Sequence, residues 1–133
     1  MITIQKAAEQ QLDLLKSWWH AWKEEVPDFS ITLNTAWVFH IDDKPVMALN
    51  LFHVKELKAC FVENFISDPE FKKVPHQKEM IMVFQSFLEN EAKKLGCLAL
   101  VCVTKREKLA KNFEKLGYNL IDQGLIFMKK DLR

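Results

Sequence analysis

The chain has 133 residues, of which 49% are hydrophobic and 28% are charged, and its 19 Lys and Arg residues nearly balance its 18 Asp and Glu residues. This composition is typical of a single soluble globular domain, residues 1–133, and it excludes wholesale disorder. The balanced charge gives no overall attraction to nucleic acid or membrane. The sequence has no apolar run long enough to span a bilayer and no apolar core of a signal peptide, so we expect a cytoplasmic protein.

The cysteines and histidines show no pattern of metal ligands. Cys60, Cys97 and Cys102 lie in apolar stretches without a CxxC motif, which indicates buried, reduced thiols. The four histidines have no spacing that would gather them on one helix face. We therefore expect no metal site.

The chain begins with a predicted strand and helix. Residues 2–6 alternate between apolar and polar as in a short strand, and the apolar positions of residues 8–26 recur at helical spacing. Trp19 and Trp22 lie on the apolar stripe of this helix and are predicted to be core residues. Trp18 falls off the stripe, so it is either partly exposed or packed against a neighbouring loop, and it is the candidate for an exposed patch.

A hairpin and a third strand follow. Residues 27–35 show no regular pattern. The runs TAWVFHI and VMALNLFHV flank a predicted turn at residues 42–45, which indicates a hairpin. A third strand-like run, ACFVENFIS, covers residues 59–67 and stops before Pro69.

The C-terminal half predicts alternating helices and strands: a long amphipathic helix over residues 75–95, a buried strand over residues 97–103, a second amphipathic helix over residues 106–116 and a last strand over residues 120–130. Gly96 and Gly117 are placed to cap the two helices, and Gly124 to bend the last strand. The predicted order is therefore β-α-β-β-β-α-β-α-β, an α/β (α+β) fold. The helical crossover favours a parallel strand pair, and the hairpin makes the sheet mixed.

Three stretches carry a resemblance to a known family: residues 62–72 (VENFISDPEFK), residues 91–97 (EAKKLGC) and residues 112–118 (NFEKLGY). In this order and spacing they resemble the fourth strand, the end of the central helix and the end of the following helix in the GCN5-related N-acetyltransferase (GNAT) superfamily. The resemblance covers nearly the whole chain. It implies a GNAT-like mixed, twisted sheet of about six strands with helices on both faces, with acetyl-CoA as the acyl donor and an amine as the acceptor.

The resemblance also implies where a cofactor would bind. Members of the family hold acetyl-CoA where strands four and five separate, which here implies the backbone of Phe65, Ile66 and Ser67, with Asn112 at the same site. Glu63 is a candidate general base that takes a proton from the amine through water. Its position fits equally well a strand residue that faces solvent or forms a salt bridge.

The segment that would hold the diphosphate departs from the family pattern. The family uses backbone amides of a glycine-rich loop that opens the central helix, but the first glycine of this chain is Gly96. Lys72, Lys73, His76 and Lys78 lie in this segment instead. They are either cationic substitutes for the missing backbone donors or a solvated charged loop.

The expected proton donor is also missing. Many members assign protonation of the leaving thiolate to a tyrosine, and that position is Phe113 here. Phenylalanine cannot donate a proton. The only tyrosine, Tyr118, follows the glycine of the motif, where a packing role is expected.

Two functions stay open at this point. The first is an acyl-CoA-dependent N-acyltransferase, with Trp18 and Trp22 as candidates for the acceptor or partner surface. The second is a GNAT-shaped interaction or structural module that has lost catalysis and binds a protein partner, like small phage-encoded GNAT-like proteins associated with virions. We expect no nucleic-acid or membrane partner, and the sequence leaves the oligomeric state open, a homodimer included.

Overall fold

The computed structural model describes residues 1–71, 77–104, 106–122 and 126–132, except for the side chains of residues 77, 78, 120–122 and 126–129. Seven strands lie in the described part: β1 Ile2–Lys6, β2 Ala36–Ile41, β3 Lys44–Val54, β4 Ala59–Ser67, β5 Ala99–Thr104, β6 Asn119–Asp122 and β7 Ile126–Asp131. Four α-helices accompany them: α1 Leu12–Ala21, α2 Phe29–Thr32, α3 Gln77–Lys94 and α4 Glu107–Lys115.

The strands form one mixed sheet in the order β1-β2-β3-β4-β5-β7-β6. Residues 59–62 of β4 pair in parallel with residues 99–102 of β5, and α3 lies in the connection between these two strands. The pairs β1–β2, β2–β3, β5–β7 and β6–β7 are antiparallel. The predicted parallel crossover and the mixed α/β fold are therefore confirmed.

The chain forms two compact units. The first unit comprises Met1–Asn50 and Asn64–Val83, and the second comprises Leu51–Glu63 and Phe84–Arg133. In the first unit, α1 and α2 bury their apolar side chains against strand residues, with a core of Leu15, Trp18, Trp19, Phe29, Val38, Ala48 and Ile66. Burial of side chains of this size is the main favourable term in folding, at roughly 25 cal/mol per Å² of apolar surface.

The predicted hairpin between β2 and β3 is confirmed, with a shorter turn. Asp42 and Asp43 have φ angles of 50° and 66°, so both turn residues are left-handed. Two such residues give the turn a twist that matches the twist of the strands. Pro45 lies inside β3, opposite His40, so the turn has two residues rather than four.

The end of α1 differs from the prediction. The helix stops at Ala21, and Lys23 takes a left-handed φ of 56°, so the predicted helix over residues 8–26 is too long. Trp18 is 3% exposed and packs in the core, whereas Trp22 is 40% exposed. The predicted burial of Trp22 was therefore wrong, because Trp22 lies at the cap where the chain leaves the helix. Of the two alternatives for Trp18, the exposed patch is excluded by its burial.

Residues 27–35 are also more regular than predicted. Asp28 caps α2, and its Oδ1 accepts a hydrogen bond from the Ser30 N–H at 3.0 Å. Phe29 is buried, and a 3-10 turn over Leu33–Thr35 follows. A capping aspartate and one buried aromatic residue thus order a helix too short to show periodicity.

The C-terminal run forms two strands rather than one bent strand. β6 and β7 pair antiparallel, and β7 lies beside β5. The polar residues between the two apolar stretches interrupt the strand, which is also a hairpin pattern. Gly124 lies outside the described residues. The predicted caps are present, because Gly96 and Gly117 have φ angles of 75° and 95°.

Candidate functional site

A kink interrupts β4 halfway along its length. Asn64 has a φ of 52°, a left-handed conformation that asparagine tolerates better than most residues. The parallel pairing of β4 with β5 ends at Val62, so Phe65, Ile66 and Ser67 lie past the last pair. Ile66 is buried in the first unit, and the other two are half-buried.

A buried amide network holds this kink in the first unit. The Asn64 Nδ2 donates to Asn50 Oδ1 at 2.9 Å, and Asn50 Nδ2 donates to the Thr32 carbonyl at 2.7 Å and to Thr35 Oγ1 at 3.0 Å. Asn50 is only 2% exposed. The three hydrogen bonds offset the cost of burying the amide and join β4 and β3 to the last residue of α2 and to the 3-10 turn that follows it.

A cavity of about 10 Å³ lies next to this network. Trp19, Phe29 and Ile66 form its apolar wall, and Asn50 and Asn64 form its polar wall. No charged side chain of the described residues lines it. A volume of this size corresponds to about one water molecule.

Trp22 joins the end of α1 to the end of β4. Its Nε1 donates to the Ser67 carbonyl at 2.8 Å, and the side chain is 40% exposed. Of the two tryptophans predicted for an acceptor or partner surface, Trp22 is accessible and lies at the strand predicted to hold the thioester. Trp18 lies in the core and offers no such surface.

Glu63 is half-buried on β4 in the second unit. Burial raises the pKa of its carboxyl above the ordinary value of 4.5, because desolvation disfavours the charged form. Burial likewise raises the pKa of the nearby Cys102 thiol to about 12, a shift that Arg106 opposes and Glu63 reinforces. Glu63 is thus a carboxylate of increased basicity, as a general base requires, and Cys102 is a poor nucleophile at neutral pH.

Phe113 lies in the core of the second unit, only 1% exposed. Its ring meets Tyr118 edge-to-face with the centroids 4.9 Å apart, and Phe84 at 6.0 Å. The Tyr118 hydroxyl donates to Gln85 Oε1 at 3.3 Å, and burial raises the pKa of this phenol. Tyr118 therefore packs in the core, as expected. Asn112, the neighbour of Phe113 on α4, is exposed.

The segment predicted to contact the phosphates lies outside the residues that the structure describes. Lys72, Lys73 and His76 lie outside the described residues, and so does the side chain of Lys78. Within the described ranges, no group of three or more His, Cys, Asp or Glu side chains is arranged to hold a metal ion. None of the described helices is both long and apolar enough to cross a membrane.

Two features of this region were missed by reasoning from the sequence. They are the Asn50–Asn64 amide pair and the hydrogen bond from Trp22 to Ser67. The sequence carried a signal for the first, since Asn50 is the one strongly polar residue within the run MALNLF of β3. A buried amide in an apolar strand requires a hydrogen-bond partner.

Comparison with known proteins identifies the fold of the chain. No model of a protein family and no curated protein matches this sequence. The chain is similar over its whole length to N-acetylglutamate synthase from Neisseria gonorrhoeae complexed with coenzyme A and N-acetylglutamate, with a TM-score of 0.80 and 8% identity, and it spans 35% of that chain. It is also similar to an acetyltransferase of the GNAT family from Staphylococcus aureus, with a TM-score of 0.73, 11% identity and 100% coverage of both chains. The protein has the GNAT fold.

A third similar structure supports this assignment. Aminoglycoside 6'-acetyltransferase type Ii has a TM-score of 0.76 and 15% identity, and the match covers 100% of this chain and 97% of that enzyme. In the GNAT-fold protein described here, the three stretches that carried the sequence resemblance lie at β4, at the end of α3 and at the end of α4. Identities this low establish the fold and leave the chemistry to the residues of the site.

Proposed function

We propose that this GNAT-fold protein transfers an acyl group from an acyl-CoA to an amine. The observation that carries the proposal is Glu63, a half-buried carboxyl with a raised pKa that immediately precedes the kink of β4 at Asn64. The named neighbours support the same class of reaction, since they include acetyltransferases and a synthase bound to coenzyme A.

The residues of β4 fit the acyl end of such a donor. Phe65, Ile66 and Ser67 follow the last β4–β5 pair, so their backbone would hold an extended thioester arm. Acetyl-CoA supplies the activated acyl carbonyl when it is bound. At the phosphate end, Lys72, Lys73, His76 and Lys78 would provide cationic side chains in place of a glycine-rich loop, and Asn112 on α4 would contribute an exposed amide.

Glu63 would accept the proton of the attacking amine through a water molecule. Its raised pKa increases its basicity relative to an exposed glutamate, which favours this transfer. Phe113 supplies no proton to the leaving thiolate, so water would protonate it. Trp22, accessible beside Ser67, would form part of the acceptor surface.

Amine acylation in the presence of acetyl-CoA tests this proposal, with a panel of amino acids, aminoglycosides and polyamines as acceptors. Glu63→Gln should lower kcat/KM by on the order of 100-fold or more, since a positioned general base contributes that much. Glu56→Gln is the matched control, because Glu56 is an exposed glutamate of the same unit. Equal activity of the wild type, Glu63→Gln and Glu56→Gln would contradict the role of Glu63.

The second candidate function is an interaction or structural module without catalysis, of the phage-associated type or another. Two observations favour it: no glycine precedes Gly96, and Phe113 cannot donate a proton. A folded protein that acylates no amine of the panel and binds no coenzyme A would support this module and exclude the transferase. The partner would then be a protein.

A further inference from the structure

Two of the three cysteines face each other in the second unit. Cys60 lies near the start of β4, and Cys97 lies between α3 and β5. Their sulfur atoms are 3.0 Å apart, although 37 positions separate the residues in the chain. Both thiols are free and buried, with exposures of 0% for Cys60 and 5% for Cys97.

The backbone fixes both residues in this arrangement. The Cys97 N–H donates to the Ala92 carbonyl at 2.9 Å, which anchors it to the end of α3. The N–H of Leu98 donates to the Lys58 carbonyl at 2.7 Å, so the segments that carry the two cysteines are joined directly. The thiols therefore meet without any rearrangement of the chain.

We propose that Cys60 and Cys97 form a redox-active thiol pair that a hydroperoxide converts into an intramolecular disulfide. A disulfide requires an S–S distance of about 2.05 Å, so the two sulfurs need to approach by only about 1 Å from their separation of 3.0 Å. The pair is independent of the proposed acyl transfer, because neither cysteine belongs to the candidate site.

The reaction takes two electrons from the two sulfurs. The Cys97 thiolate attacks one oxygen of the hydroperoxide, the O–O bond breaks, and an alcohol or water leaves as Cys97 becomes a sulfenic acid. The Cys60 sulfur then attacks the Cys97 sulfur, the S–O bond breaks, and the hydroxyl leaves as water with the Cys60 proton. One hydroperoxide and two thiols thus give one disulfide, one alcohol or water, and one water. A dithiol reductant reverses the reaction by exchange.

The environment assigns different roles to the two thiols. Cys97 is the more exposed, so it meets the oxidant first. Burial raises the pKa of the Cys60 thiol to about 12, and its hydrogen bond to Cys97 acts in the same direction. Cys60 is fully enclosed and does not meet an external oxidant, whereas its sulfur lies 3.0 Å from that of Cys97, so it acts as the resolving thiol for a sulfenic acid at Cys97. Cys102 lies elsewhere on β5, near Arg106 and Glu63.

The disulfide would stabilise the fold by closing the long stretch of chain that contains α3. Constraining the unfolded chain over 37 residues should raise Tm by on the order of 10 °C for a domain of this size. The shift should reverse on addition of dithiothreitol.

Oxidation of the wild type with hydrogen peroxide tests the proposal. The expected product has lost two hydrogen atoms by intact mass, and peptide mapping without reductant joins the peptides of Cys60 and Cys97. Cys60→Ser and Cys97→Ser should lose the Tm shift, whereas Cys102→Ser, the matched control, should retain it. Mapping of the wild type needs no variant to fold. Three free thiols after oxidation, or a disulfide that includes Cys102, would overturn the proposal.

Discussion

Removing the Asn50 amide should destabilise the first unit more than any exposed substitution. Asn50→Ala deletes three hydrogen bonds, to Thr32, Thr35 and Asn64. At about 1 kcal/mol for each bond, the expected loss in the free energy of unfolding is about 3 kcal/mol. Since unfolding entropy is about 2.1 cal/mol/K per residue, this loss corresponds to a decrease in Tm of roughly 10 °C for a chain of 133 residues.

Thermal and urea denaturation of a small set of variants measures this effect. Thr35→Val removes one of the three bonds and should cost about 1 kcal/mol. Asn34→Ala is the matched control, because Asn34 is exposed in the same 3-10 segment. In a double-mutant cycle, Asn50→Ala and Asn64→Ala should couple by about 1 kcal/mol, since they share one bond.

Two results would refute this reasoning. If Asn50→Ala lowers stability by no more than Asn34→Ala does, the network contributes nothing to the fold. If the Asn50→Ala and Asn64→Ala effects are additive, the two amides are not bonded to each other. Either result would also remove the physical account of the kink in β4.

Three further predictions concern the turn between β2 and β3, the carboxyl of Glu63 and the aromatic core around Phe113. Asp43→Gly should stabilise the protein by about 0.5 kcal/mol in urea denaturation, because glycine adopts a φ of 66° with less strain than aspartate. A loss of stability would contradict the left-handed conformation of this turn residue. Burial raises the folded pKa of Glu63, so its ionisation destabilises the protein progressively as the pH rises above 4.5. Glu63→Gln should therefore raise Tm at pH 7, and this gain should disappear as the pH falls toward 4.5. An equal gain in Tm at pH 7 and at pH 4.5 would argue against a raised pKa of Glu63. Phe113→Tyr should lower stability by about 1–3 kcal/mol and leave acylation unchanged, because the ring is enclosed by Tyr118 and Phe84; a rate increase would show that the missing proton donor limits the reaction.

Local patterns in the sequence were sufficient to predict several elements of the fold. The run ACFVENFIS coincides with β4, because an apolar, strand-like run ends there at the turn residues Asp68 and Pro69. The caps at Gly96 and Gly117 were predicted because positive φ angles favour glycine. Together with the motif at residues 112–118, these elements were enough to predict a GNAT-like mixed sheet.

Features that depend on contacts between residues far apart in the sequence could not be predicted from local patterns. The burial of Trp18 and the exposure of Trp22 depend on where α1 ends, which periodicity alone does not determine. The Asn50 network joins residues 18, 15 and 14 positions apart, so no local pattern reveals its partners. The raised pKa of Glu63 likewise arises from tertiary burial.

Calorimetric titration of the protein with acetyl-CoA tests the central proposal most directly. Desulfo-CoA serves as a second ligand, because it lacks the thiol and keeps the phosphates. Binding should be weak, with a Kd of about a micromolar or higher, because lysine side chains rather than converging backbone amides would hold the phosphates. The affinity should fall further as salt is added, since the attraction between solvated charges is screened over roughly 10 Å at 0.1 M salt. Absence of binding to either ligand by a folded protein would contradict the assignment of this GNAT-fold protein as an acyl-CoA-dependent transferase.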